Sequence, residues 1–161
     1  MRNKRKTYTK AGVIPFYVNE SGELVMLFMV PSDPLYGGDR LQIAKGTIDF
    51  GEAVYLAAIR EGYEELGLLY HNIDHTFEAI KISVLLTNDT YMLVYVFPII
   101  DKLDFAEPHY ETGRTEWLTL SQFEIDGKAK HLSVVRDAVN KVYDVLHKDD
   151  KIPNQRTVHE R

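Results

Sequence analysis

Glu61, Glu64 and Glu65 stand three and four residues apart in the segment EGYEE, so on a helix their carboxylates project from neighbouring positions of one face. Three like charges that close repel one another. The cluster is tolerable only if it is solvated, paired with cations or bound to metal, and carboxylate oxygens suit hard divalent ions such as Mg²⁺, with Mn²⁺ as a substitute. Arg60 is placed to pair with Glu52 or with one of the clustered glutamates, and Lys45 sits at the mouth of a glycine-bordered loop that starts at Gly46, where it could meet a phosphate. The chemistry these residue types support is metal-assisted attack of water on a phosphate, with a glutamate accepting the proton. An isolated acidic cluster of this kind would more simply be a solvated helix face with ordinary charge pairs.

The spacing decides against that simpler reading. Gly46, five residues, Glu52, seven residues, then Arg60-Glu61-Gly62-Tyr63-Glu64-Glu65-Leu66-Gly67-Leu68 resembles the Nudix box at every charged and glycine position. At roughly 6–7% usage per residue type, seven fixed positions coincide by accident on the order of once in 10⁸ starting points. One position departs from the pattern: Gly62 stands where an aliphatic residue is usual, which implies either a looser helix or one packed unusually close to a strand. The resemblance implies a Nudix hydrolase, a metal-dependent pyrophosphohydrolase with an α/β/α sandwich fold. It makes Glu61, Glu64, Glu65 and Gly46 candidates for the metal set, with Glu61 and Glu64 catalytic and Glu52 and Arg60 in support. A further carboxylate often comes from a loop outside the box. Here Glu111, in YETGRTEWLTL, is the candidate, with Glu107 and Glu116 as competitors.

For the substrate, LQIAKGTIDFGE resembles the lysine-glycine lead frequent among hydrolases of dinucleoside polyphosphates and diphosphoinositol phosphates, with Ala44 in place of a proline. That favours a polyphosphate bridge contacted by Lys45, with Arg40, Lys81 or Arg114 assisting. Tyr36, Tyr91, Phe105 and Tyr110 are the aromatic candidates for stacking on a base. ADP-ribose, NADH, a nucleoside triphosphate or an RNA 5′ end would use the same metal site, the last aided by the basic segment MRNKRK. The isomerases of isopentenyl diphosphate that share the fold require a cysteine, and this chain has none. A sensor that binds nucleotide without turnover is the reading from another class.

These side chains need a scaffold. The chain has 161 residues, 45% of them hydrophobic, which suits one domain with a sizeable core, expected over residues 1–148, with a polar tail over 149–161. The formal charge of -5 opposes a broad grip on nucleic acid, so phosphate binding must be focused. The absence of cysteine excludes disulfides, thiolate-zinc sites and thiol nucleophiles. MRNKRK is followed by polar TYTK rather than an apolar core, and the longest apolar run, 91–100, is too short to span a bilayer. No secretory signal and no membrane span are expected, and the expected location is cytoplasmic. A homodimer is compatible with the family.

Strands are expected over 11–18 and 24–30, joined as a hairpin, then a loop over 31–40 and a short strand over 41–44. A helix over 52–66 should bury Leu56, Ile59, Tyr63 and Leu66 and stop at Gly67. A second hairpin over 77–86 and 91–100, a strand over 115–120 and a helix over 131–147 with Leu132, Val135, Val139, Val142 and Leu146 inside complete the pattern. Strands, helix, strands, helix implies a mixed sheet with flanking helices, an α/β sandwich.

Overall fold

A computed structural model of the chain describes residues 5–102 and 104–150. The expected tail residues 151–161 and the tip residues 1–4 lie outside the described residues. Strands β1 (Tyr8–Val18), β2 (Leu24–Pro31), β3 (Ala44–Thr47), β4 (Ile80–Leu85), β5 (Tyr91–Pro98) and β6 (Thr112–Leu118) form one sheet in the order β4-β5-β1-β2-β6, with β3 paired to β1. The β1–β5 pairing is parallel and the others are antiparallel, so the sheet is mixed.

Period-two alternation along the strands builds two hydrophobic layers. Ile14, Phe16, Met26, Phe28, Val94 and Val96 face helices α2 (Leu120–Asp126) and α3 (Leu132–Asp150). Ala11, Val13, Leu27, Met29, Tyr95 and Phe97 face helix α1 (Val54–Leu66) on the other side. Helices thus cover both faces, which is the expected α/β/α sandwich. Each fully buried Val, Ile or Phe contributes about 1.5–3 kcal/mol relative to exposure. The Phe28 and Phe123 rings, 4.4 Å apart between centroids, lock α2 to β2.

Several details differ from the sequence reading. Helix α2 was not expected; Thr119 opens it with a capping box, its side chain accepting from the Gln122 N–H while the Gln122 side chain accepts from the Thr119 N–H. The strand expected over 41–44 is displaced to Ala44–Thr47, because Leu41 and Gln42 make only isolated bridges, to Gly127 and Met29. Only half of the expected stripe of α1 is inside: Leu66 is buried and Ile59 packs partly buried on the core, but Leu56 and Tyr63 turn outward. Leu56 is 56% and Tyr63 42% exposed, while Ala57, Ala58, Glu61, Gly62 and Leu66 are buried.

The reason is close approach. A Cβ on Gly62 would lie 3.2 Å from Val13 Cγ1 and 3.1 Å from Leu68 Cδ2, so α1 lies almost directly on β1. Small residues allow that distance, and larger ones turn outward. Of the two implications of Gly62, close packing on a strand is the one realised. At its other end α1 stops at Gly67, where φ is 74° and Leu68 N–H returns to Gly62 O at 3.1 Å. Helix α3 runs through Asp150, two residues into the expected tail, and buries Val135, Val139 and Val142 as expected. Among the described residues no helix is long and apolar enough to cross a membrane.

Candidate active site

The site lies where β3 passes the middle of α1. Strand β3 pairs with β1 so that Gly46 stands opposite Ala11 and Lys45 opposite Gly12. Gly46 has no side chain, and the Glu61 carboxylate takes that space; a Cβ on Gly46 would overlap it. Glu61 is therefore buried, 7% exposed, with its carboxylate against a backbone whose only offering to a cation is a carbonyl. One turn further on, Glu65 Oε1 accepts the Lys45 N–H at 3.0 Å and fixes α1 to β3 a second time.

Arg60 organises the acids. Its Nε and Nη2 both donate to Glu52, each at 2.9 Å, a two-pronged pair that fixes both side chains. Nη1 donates to Glu61 Oε2 at 2.8 Å and, more weakly, to Glu64 Oε1 at 3.4 Å, while Nη2 also reaches Thr47 O at 3.0 Å. Both partners left open by the sequence are engaged at once. The Arg60 guanidinium, helped by the Asp49 N–H, holds the Glu52 carboxyl down at about 2. Burial pushes Glu61 up against the opposing pull of Arg60, and burial pushes Glu65 up to about 7.

A loop from the far side completes the site. Ala106 N–H donates to Gly67 O and His109 N–H to Glu64 O, each at 2.8 Å, and Thr112 Oγ1 donates to Glu65 O at 2.9 Å. The loop before β6 thereby satisfies carbonyls at the end of α1. It presents Glu111 beside Glu65 and Lys45 in a cavity of about 420 Å³, where Tyr36 and Tyr110 are also wall residues. Of the three competing loop acids, Glu111 is the one in this cavity; Glu116 instead pairs with Arg114 at 3.5 Å.

Other sequence candidates are elsewhere. Arg40 donates to the carbonyls of Ile125, at 2.7 Å, and Gly127, at 3.3 Å, bracing the turn after α2 rather than facing the carboxylates. Lys81 is exposed on β4 opposite Tyr95, and Tyr91 packs on Tyr8, so neither joins the cavity. Phe105 packs edge-on against Trp117. Three cations went unnoticed in the sequence. Lys10, Lys128 and Lys130 line a second cavity that shares Lys45 with the first. Lys10 and Lys45 are legible in principle, because strand parity puts both on the α3 face; the other two arrive through a linker whose path sequence periodicity does not reveal.

The family model for the NUDIX domain matches residues 8–138. The chain belongs to the Nudix family. Nudix hydrolases act on pyrophosphate bonds in small nucleotide substrates and generally use divalent metal ions, and this chain is a Nudix hydrolase. No curated protein matches it. Among solved structures it is similar to a C. elegans Ap4A hydrolase in a binary complex, with TM-score 0.66 and 20% identity over 86% of this chain and 98% of that one. The Nudix hydrolase RenU from M. smegmatis gives TM-score 0.66 and 16% identity over 86% of this chain and 89% of that one. The NUDIX domain of NrtR from Shewanella oneidensis, complexed with ADP ribose, gives 0.60 and 10% over 87% and 90%. At such identities the likeness is one of fold.

The donor set fits a divalent cation of the Mg²⁺ type. Among the described residues no three acidic or imidazole groups lie together so that they could hold a metal ion by themselves. Mg²⁺ does not ask for such a group: it keeps several waters and takes one or two carboxylates together with substrate phosphates. Glu61 and Glu64, converging on one Arg60 nitrogen beside the Gly46 backbone, with Glu65 a turn away, form an open half-shell of that kind.

Proposed function

We propose that this Nudix hydrolase cleaves the pyrophosphate bridge of a nucleoside diphosphate derivative with Mg²⁺, and that its favoured substrate is a dinucleoside polyphosphate. The observation that supports the reading is the Glu61 carboxylate seated against Gly46 and sharing Arg60 with Glu64, with Glu65 bonded to the adjoining Lys45 N–H and Glu52 held by the same Arg60. The one or two carboxylates that would hold the cation come from Glu61, Glu64, Glu65 and Glu111, with the Gly46 carbonyl beside them. When bound, it would supply charge neutralisation on the bridge and acidify the attacking water.

The chain's own groups do the rest. A glutamate of the cluster accepts the proton as water oxygen bonds to phosphorus, the P–O–P bond opens, and the departing phosphate carries away the bridging oxygen. Arg60 stays engaged with Glu52 and Glu61, so these carboxylates do not have to reorganise during the reaction. Lys45 is charge-complementary to a phosphate beside Glu65. Burial and the neighbouring Lys10 and Lys128 lower its pKa, so an arriving phosphate would stabilise its charged form. Tyr36 and Tyr110, 80% and 86% exposed on the wall of the same cavity, suit a base stacked at its mouth.

The test is hydrolysis of diadenosine polyphosphates, ADP-ribose, NADH, nucleoside triphosphates and triphosphorylated RNA, with and without Mg²⁺. Mg²⁺-dependent turnover led by the diadenosine compounds, reduced roughly 10²-fold or more in kcat by Glu64→Gln, is the expected result. Binding of any of these with no turnover would instead identify a sensor.

A further inference from the structure

The second cavity, about 490 Å³, lies on the α3 face of the sheet, outside the carboxylate cluster, and has Lys45 as a wall residue in common with the cavity beside that cluster. Lys10 and Lys45 occupy diagonal positions of the β1–β3 pair, since Lys10 is opposite Thr47 and Lys45 opposite Gly12. Lys128 and Lys130 come from the linker between α2 and α3 and close the same space. No aspartate or glutamate lines it among the described residues, although the chain as a whole carries a net charge of -5. Lys128 Nζ donates to Gly37 O at 3.0 Å, and burial with the neighbouring Lys130 lowers its pKa.

Four ammonium groups crowded together are unfavourable in an empty pocket. Their field reaches the buried His131, which burial together with Lys45, Lys128 and Lys130 depresses to about 4. His131 is consequently neutral, its Nδ1 accepting the Ile43 N–H at 3.1 Å, and adds no charge to the pocket at neutral pH. The remaining wall is mixed: Val84, Leu85, Leu86, Met92 and Val134 are apolar, and Thr9, Thr87 and Asn88 are uncharged polar residues. Such a site matches a ligand bearing several negative charges and an apolar surface.

We propose that this lysine-lined cavity receives the part of the substrate beyond the scissile bond, and that it selects a longer linear phosphate chain over a simple diphosphate bridge. The inference rests on the proposed reaction and deepens it. A diphosphate linked to an uncharged sugar would leave Lys10, Lys128 and Lys130 facing one another without an anion. A longer chain, held at Lys45 next to the carboxylates, would run on into the cavity and place its remote end against the apolar part of the wall.

The experiment compares wild type, Lys10→Ala, Lys130→Ala and Lys130→Arg on diadenosine substrates with three, four, five and six phosphates and on ADP-ribose. It is paired with equilibrium titration of each metal-free protein by linear inorganic tetraphosphate. We expect the wild-type ratio of kcat/KM, long chain over ADP-ribose, to fall about tenfold or more in each alanine variant, mainly through KM, and to be retained in Lys130→Arg. Tetraphosphate should bind wild type, and weaken with added salt more steeply than it does in the alanine variants. Equal losses on long and short substrates, or tetraphosphate binding unchanged by both alanines, would overturn the assignment. The hydrolase reading would survive that result if Mg²⁺-dependent turnover of ADP-ribose were still lost in Glu64→Gln. If wild type turned over no substrate at all, that reading would fail first, while the tetraphosphate titration would still judge the cavity by itself.

Discussion

Glu65→Gln separates the requirements of the site from those of the fold. The Glu65 carboxyl stands at about 7 instead of its ordinary 4.5, chiefly because it is buried, with Glu61 and Glu111 adding to the rise. A raised acid means that the folded chain holds the proton more tightly than the unfolded chain does. Its contribution to stability is complete below about pH 4.5 and is lost as pH climbs through about 7. That rise converts to about 3 kcal/mol, a large share of the 5–15 kcal/mol that separates folded from unfolded domains. Glutamine removes the ionisation yet keeps an oxygen for the Lys45 N–H, whose bond is 3.0 Å long.

In chelator, the two proteins should therefore have similar urea stability near pH 5, and the variant should be the more stable by up to about 3 kcal/mol near pH 8.5. The single tryptophan, Trp117, reports the transition. Adding Mg²⁺ should reverse the order, because the wild type gains binding energy that the variant lacks. A stability difference that stays constant with pH, or that moves in favour of the wild type as pH rises without metal, would refute the burial argument.

Gly46→Ala should preserve the fold but lower metal affinity about 10- to 100-fold, because the new Cβ displaces the Glu61 carboxylate from its place beside Arg60; isothermal titration with Mn²⁺ measures it. Gly67→Ala should lose about 1–2 kcal/mol from its φ of 74° alone, and more from overlap with the Ala106 carbonyl. Because Ala106 belongs to the loop that presents Glu111, kcat should fall along with the melting temperature.

The chemistry was local enough to be legible. Positions three and four apart on a helix share a face whatever surrounds them, so Glu61, Glu64 and Glu65 converge from the sequence alone. The glycine and charge spacing of residues 46–68 carries the family in the same way. The strands at 8–18, 24–31 and 91–98 follow from β-branched and aromatic-rich apolar runs bounded by turn residues, and even unexpected α2 had its signal in the Thr119–Gln122 capping box.

Tertiary structure decided everything that depended on distance between segments. Periodicity assigned Leu56 and Tyr63 to the core, but α1 approaches β1 too closely for them, and Ala57, Ala58 and Gly62 take the interface. Arg40 is a candidate to assist Lys45 by residue type, but the turn after α2 presents two carbonyls to it. Lys10, Lys45, Lys128 and Lys130 span 120 residues of chain, and only the pairing of β1 with β3 and the docking of the α2–α3 linker bring them to one cavity. Side-chain type and short spacing state what chemistry is possible; which charges meet is set by packing of elements far apart in the chain.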